Sequence, residues 1–307
     1  MATSASSQTT FLVMSDTHNF EMDTADEGCP LRQPMPKVDI LLHCGDLTQI
    51  GGISAYKKAV RLLGAFDAEL KLVIAGNHDL SLDGKFWRGN LDEEAGDELE
   101  EHQQAVDVLT GPLTKANGIT YLTEGLHKFT LKSGATFTIY ASPYQPEFGD
   151  WAFGYKRTDD RFNVQVPQGV QRIAENPLPN HVDIVMTHGP PRGILDSVPS
   201  REHAGTVEHL GCDALLRAIE RSRPLMHCFG HLHEGYGAEM EQWRACGQED
   251  GTRSSTVSIS KVGTTDDEPK AYSMEHSTLM VNAAVMDGHN KPVNAPWLVS
   301  LELPRGI

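Results

Sequence analysis

A chain of 307 residues is long enough to bury a substantial core, as one large α/β domain or two smaller ones. Apolar content of 39% and a mean hydropathy of -0.35 fit a soluble protein, and no run approaches the length of a membrane span. A formal net charge of -16 argues against a nucleic-acid polymer as partner.

Part of that charge is local. Residues 92 to 101 hold seven acids and Asp266-Asp267-Glu268 three more, so removing those ten leaves -6, and both runs read as solvated surface. Five scattered cysteines (Cys29, Cys44, Cys212, Cys228, Cys246) form no CxxC pair, as expected of reduced thiols in a cytoplasmic protein. Residues 1–10 are small and polar without a secretory pattern, and read as a flexible tail before one domain spanning 11–307.

Along the chain, Phe11-Leu12-Val13-Met14 reads as a buried strand that ends in Ser15-Asp16-Thr17-His18-Asn19. Glu21 to Pro36, rich in Pro, Gly and acids, reads as a surface loop. Val38 to Leu42 is a second strand, running into His43-Cys44-Gly45-Asp46. Ser54 is placed to cap a helix with Tyr56, Ala59, Val60 and Leu63 on one face, and Leu70 to Ala75 is a third strand that ends in Gly76-Asn77-His78-Asp79. This β, α, β order predicts a parallel pair with a right-handed crossover. Residues 93–109 read as a helix with Leu99, Val106 and Leu109 on its apolar face.

From Leu126 to Ala141 the pattern becomes an antiparallel hairpin with Gly134 in the turn. Pro143 to Pro167 is irregular and aromatic (Tyr144, Phe148, Trp151, Phe153, Tyr155, Phe162); it reads first as a loop held down by its own aromatics, second as a wall facing substrate. Val182 to Met186 is again apolar and ends in Thr187-His188-Gly189-Pro190-Pro191. Asp213 is placed to cap a helix through Leu215, Leu216 and Ile219, and Leu225 to Phe229 then runs into Gly230-His231-Leu232-His233. Residues 244–275 read as a long polar loop, with Leu279 to Val285 and Trp297 to Leu303 as closing strands.

Five apolar runs thus deliver Asp16 and His18, Asp46, Asn77 and His78, His188, and His231 and His233. In open α/β sheets ligands bind beyond the carboxyl ends of the strands, so these groups are expected on one surface. Nitrogen and oxygen donors without thiolate suit Mn, Fe, Zn or Mg. These donors outnumber the places of one tetrahedral site, whereas two divalent ions sharing a carboxylate use such a set naturally. Such a pair, roughly 3.5–4 Å apart, clamps both oxygens of an in-line displacement at phosphorus and activates a bridging water. His43, His203, His209 and His227 lack this placement and read as structural or surface residues.

Asp16-x-His18, Gly45-Asp46, Gly76-Asn77-His78-Asp79, His188 and Gly230-His231-x-His233 together resemble the calcineurin-like metallophosphoesterase superfamily, in order and over nearly the whole chain. The stretches 43–48, 187–191 and 229–237 further resemble the metallophosphoesterase-domain-containing group, which is linked to cyclic-nucleotide hydrolysis. The resemblance implies a four-layer αββα sandwich of two mixed sheets flanked by helices. It implies Asp16, His18 and His233 on one metal and Asn77, His188 and His231 on the other. Asp46 would bridge them, and His78 would stay free of metal to serve the leaving oxygen. Asp79 would orient His78, and Arg192 is a candidate phosphate contact.

The implied activity is metal-dependent hydrolysis of a small phosphodiester, with a cyclic nucleotide as candidate, by a metal-bridging hydroxide. The alternatives are a phosphomonoesterase or nucleotide pyrophosphohydrolase with the same site, or a non-catalytic binding module. Leu47-Thr48-Gln49 replaces the Val-Asp-Arg-Gly continuation of protein phosphatases, which argues against a phosphoprotein substrate.

Overall fold

The structure, a computed structural model, describes residues 6–21, 30–31, 34–92, 98–200, 203–243, 256–262, 270–274 and 276–306. Most of the expected 21–36 loop, the start of the expected 93–109 helix, and Cys29 and Cys246 lie outside them.

Two mixed sheets stack face to face. The first has seven strands in the spatial order Lys270–Ser273, Thr256–Lys261, Trp297–Pro304, Ser6–Met14, Val38–His43, Ala68–Val73, Ile119–Tyr121. The second has six: Gly237–Gln242, Ser277–Asn282, Met226–Phe229, Ile184–Thr187, Thr136–Ser142, Gly125–Thr130. The strands that lead into the motif residues pair in parallel within each sheet, so within a sheet their carboxyl ends share one edge.

Alternation explains why these strands read as unbroken apolar runs: both faces of each sheet are covered. Phe11, Val13, Ile40, Leu42 and Leu72 point between the sheets, where they meet Phe137, Ile139, Ile184, Met186, Cys228 and Val281. Their neighbours Leu12, Met14 and Leu41 point the other way, onto Tyr56, Ala59, Val60 and Leu63 of the helix Ile53–Gly64. On the far side Val185, Phe229 and Met280 pack against Leu215, Ala218 and Ile219 of the helix Asp213–Ser222. The layers run helix, sheet, sheet, helix. Among the described residues no helix is long and apolar enough to cross a membrane.

Several local expectations are corrected. The first strand begins at Ser6, not Phe11, because Ser6 to Thr10 pair antiparallel with Pro304 to Ser300. The 244–275 stretch contains the strands Thr256–Lys261 and Lys270–Ser273, the former burying Val257 and Ile259 on alternate positions. The helix near 100 spans Glu101–Thr110, and Leu99 precedes it, exposed. The helix expected to start at Ser54 has Gly52 at its N-cap, and Cys212, not Asp213, caps the later one by accepting from the Leu215 N–H.

Candidate active site

The five strand exits meet at the edge where the two sheets abut. The first sheet contributes Asp16, His18, Asp46 and Asn77, the second His188, His231 and His233, each with a side-chain polar atom within 3.6 Å of at least one other. The chain must turn abruptly to do this: Asp16, His18, Asp46 and His231 all have positive φ, between 41° and 67°. Non-glycine residues adopt that region rarely and at a cost, and such strain gathers where a site over-determines its backbone. Glycines allow the close approach. A Cβ on Gly76 would stand 2.3 Å from Asp46 Oδ1, and one on Gly230 would stand 2.0 Å from Asp16 Oδ2.

The donors fall into two groups that share one atom. His18 Nε2 lies 3.3 Å from His233 Nε2, with Asp16 Oδ1 3.4 Å from the latter. On the other side Asn77 Oδ1 sits 2.8 Å from His188 Nε2 and 2.7 Å from His231 Nδ1. Asp46 Oδ2 stands between the groups, 3.6 Å from His18 Nε2 and 3.4 Å from His188 Nε2. The other oxygen of Asp46 is already engaged, accepting from the His78 backbone N–H at 2.8 Å.

Outer contacts aim these side chains. His188 Nδ1 donates to the Cys44 carbonyl at 2.9 Å and His233 Nδ1 to the Asp287 carbonyl at 3.0 Å, which turns each Nε2 inward. Both oxygens of Asp16 accept from the His231 N–H.

Charge is concentrated here. Burial alone would raise the Asp16 carboxyl, but the hydrogen bond and charge of His233, with His188 and His18, hold it far below the usual carboxylate range. Asp46, equally buried, is pulled down to about 2, chiefly by His188. Burial would lower His188 and His233, yet Asp46 lifts the first and Asp16 the second to about 9. Burial, aided by the charge on His188, drops His231 to about 3. Two buried carboxylates thus hold protons on two imidazoles that face the same points. Inward-facing imidazole nitrogens once freed of those protons, an amide oxygen and carboxylate oxygens are also the donors a hard or borderline divalent cation takes, so the residues fit divalent ions of that kind. Three compatible triads occur among the described residues: Asp16 with His18 and His233, Asp16 with Asp46 and His188, and His18 with Asp46 and His78.

His78 faces the same space with its other nitrogen committed: Nδ1 donates to the Gln49 carbonyl at 2.7 Å. Asp79 does not touch the imidazole, contrary to the expectation that it orients His78. It is fully buried and accepts from the N–H groups of Gly76, Leu47 and Thr48 and from the Thr48 hydroxyl, so it fastens the loop bearing Asp46 to the loop bearing Asn77. Burial and then the charge on Asp46 push its carboxyl up to about 7 against those donors.

A cavity of about 470 Å³ opens over the centre, lined by Asp46, Asn77, His78, His231 and His233 at its floor. Pro146, Phe148, Val198, Pro199 and Leu210 form an apolar wall, with Glu147, Glu208 and Glu234 among the lining. Arg192 is not among the lining residues; it pairs with Asp213 at 3.8 Å on the surface. The arginine that reaches the cavity is Arg157, donating to the Leu210 and Gly211 carbonyls. The aromatic segment divides between its two readings. Phe153, Tyr155 and Phe162 are buried, and Tyr144 lies under the Arg161 guanidinium, which is clamped on both oxygens of Glu124. Phe148 and Trp151 line the cavity. His43 is buried against Thr17 at 3.1 Å and His227 against Thr187 at 2.8 Å, each beside a donor-bearing loop.

The sequence matches the calcineurin-like phosphoesterase family over residues 9–235. It is 31% identical over 306 residues to metallophosphoesterase domain-containing protein 1 of Homo sapiens, covering 97% of this chain and 72% of that protein. A UPF0046 protein of Caenorhabditis elegans is 30% identical over 242 residues, covering 74% of this chain and 52% of its own length. The probable rhamnogalacturonate lyase C of Emericella nidulans is 31% identical over 235 residues, 76% of this chain but 18% of that protein.

Proposed function

We propose that this chain, which belongs to the calcineurin-like phosphoesterase family and is a phosphoester hydrolase by that membership, cleaves small phosphodiesters, cyclic nucleotides among the candidates, with two divalent ions. The observation that carries the reading is Asp46 Oδ2, poised between two sets of inward-facing donors at the floor of the cavity. Asp16, His18 and His233 would hold one ion, Asn77, His188 and His231 the other, and Asp46 both; Mn, Fe, Zn or Mg suits the donors. When bound, the ions supply Lewis acidity, neutralising charge on the phosphoryl oxygens and making a water acidic enough to attack near neutral pH.

The protein's own part is positioning and proton handling. His78 Nδ1 must carry a hydrogen, because its partner is a carbonyl, so Nε2 is the nitrogen left for substrate. In its imidazolium form it offers a proton to the departing oxygen and a positive charge to the phosphoryl group. The wall of Phe148, Pro146, Val198, Pro199 and Leu210 suits an organic group on the ester, and three carboxylates beside it favour the single negative charge of a diester over the dianion of a monoester. The same acidic surroundings and the chain's overall charge disfavour a nucleic-acid polymer.

The test is a panel of aryl phosphodiesters, aryl phosphomonoesters and cyclic nucleotides, assayed with Mn, Mg or Zn added to chelator-treated protein. Diesters should show the higher kcat/KM. Preference for monoesters overturns the substrate assignment, and turnover that survives exhaustive chelation overturns the metal dependence.

A further inference from the structure

The Gln49 hydrogen bond fixes one atom of the His78 ring and leaves rotation about that contact open. Two ring contacts close it. The His18 imidazole meets His78 edge-on, with centroids 4.6 Å apart and planes at 83°, and the Trp151 indole covers a face at 3.9 Å and 32°. Trp151 is itself tied to the donor loops, since the next residue, Ala152, donates its N–H to the Asn77 carbonyl and has its own carbonyl bonded by the Gln145 amide. Phe153 N–H, one residue on, is held by Asp83 Oδ2 at 2.9 Å. The segment that carries the indole is therefore anchored to the very dipeptide, Asn77-His78, whose imidazole it covers.

We propose that Trp151 is a positioning residue for the reaction: it acts through His78, holding the imidazole so that Nε2 meets the departing oxygen. The proposal rests on the proton-handling role given to His78 above. The indole is flat and stiff with two rotatable bonds, so it orders a neighbouring ring at little entropic cost. Misplacing a catalytic group by about an ångström can cost roughly a hundredfold in rate.

The experiment compares wild type, W151A, W151F, H78A and W151A/H78A at matched metal content, on two diesters that share one ester arm. One leaves as p-nitrophenoxide and the other as an alkoxide, which needs its proton in the transition state. W151A should lower kcat on the alkoxide ester by roughly 10- to 100-fold with KM nearly unchanged. The loss on the p-nitrophenyl ester should be smaller, W151F should recover most of the rate, and the double variant should be no slower than H78A. Thermal melts check that each variant folds; W151L, apolar but without an aromatic face, replaces W151A if that variant melts early. Multiplicative losses in the double variant, or a raised KM at unchanged kcat, would show Trp151 touching substrate directly and overturn this proposal alone. An unchanged rate in H78A would remove the proton role of His78 and the proposal with it.

Discussion

Replacing His227 by leucine should flatten the acid side of the stability curve. His227 is wholly buried in the strand Met226–Phe229, with Nε2 2.8 Å from the Thr187 hydroxyl and Nδ1 without a partner. The Thr187 hydroxyl donates to the Gly189 carbonyl at 2.7 Å, so its oxygen is the acceptor and Nε2 carries the imidazole hydrogen. Adding a second proton would place an uncompensated charge in the core, and burial accordingly lowers the pKa from 6.5 to about 3. The folded pKa lies below the unfolded one, so the contribution is fully present above pH 6.5 and is lost as pH falls from there toward 3. At about 1.4 kcal/mol per pH unit, the fall from 6.5 to 4.5 removes about 2.7 kcal/mol. Leucine has nothing to titrate. At pH 8 it exchanges one hydrogen bond worth about 1 kcal/mol for more apolar burial, so the two proteins should be nearly equal there. Urea unfolding in chelator at half-unit steps from pH 8 to 4.5 measures the difference curve, in which titrations elsewhere cancel. Curves that stay parallel to within about 0.5 kcal/mol would refute the buried neutral imidazole.

Asp46→Asn should bind fewer ions per chain by elemental analysis and lose most hydrolysis, since a neutral amide cannot bridge two cations as a carboxylate does; two retained ions with full activity would exclude the bridge. Glu124→Ala leaves the Arg161 guanidinium largely buried without its carboxylate, and should cost about 3–5 kcal/mol in urea unfolding. Asp79→Ala strips the acceptor from three buried N–H groups, those of Gly76, Leu47 and Thr48, at about 1–3 kcal/mol each. It should also weaken Mn binding in calorimetry, because the loops bearing Asp46 and Asn77 lose their fastener.

The buried strands and the convergence of their exits were legible because both follow from short-range signals, whereas the four-layer order was implied by the family resemblance alone. An apolar run covered on both faces cannot alternate, and the residues that interrupt it must lie at a sheet edge. What escaped was set by partners far along the chain. The polar start at Ser6 is a strand only because residues 300–304 lie beside it. Val257 and Ile259 carried a period-two signal, but the surrounding Ser, Thr and Gly made the window read as loop. Asp79 resembled a partner for the adjacent imidazole, whereas a turn points it back into the chain, to Leu47 and Thr48. The carbonyls of Gln49, Asp287, Leu210 and Gly211 that aim His78, His233 and Arg157 belong to the backbone, and no residue letter announces them.

The site is divided between the two sheets, and its donors are widely separated in the order of synthesis. Asp16 and Asp46 leave the ribosome early, while His188, His231 and His233, which neutralise or accompany them, come more than 140 residues later than Asp46. Until then the first half of the chain carries carboxylates aimed at partners not yet synthesised. The donor set is complete only where the two sheets are closed on each other, and a chain that ends before His233 lacks part of it. Whatever holds the sheets apart, whether truncation, a chaperone or a core mutation far from any donor, abolishes catalysis through geometry alone.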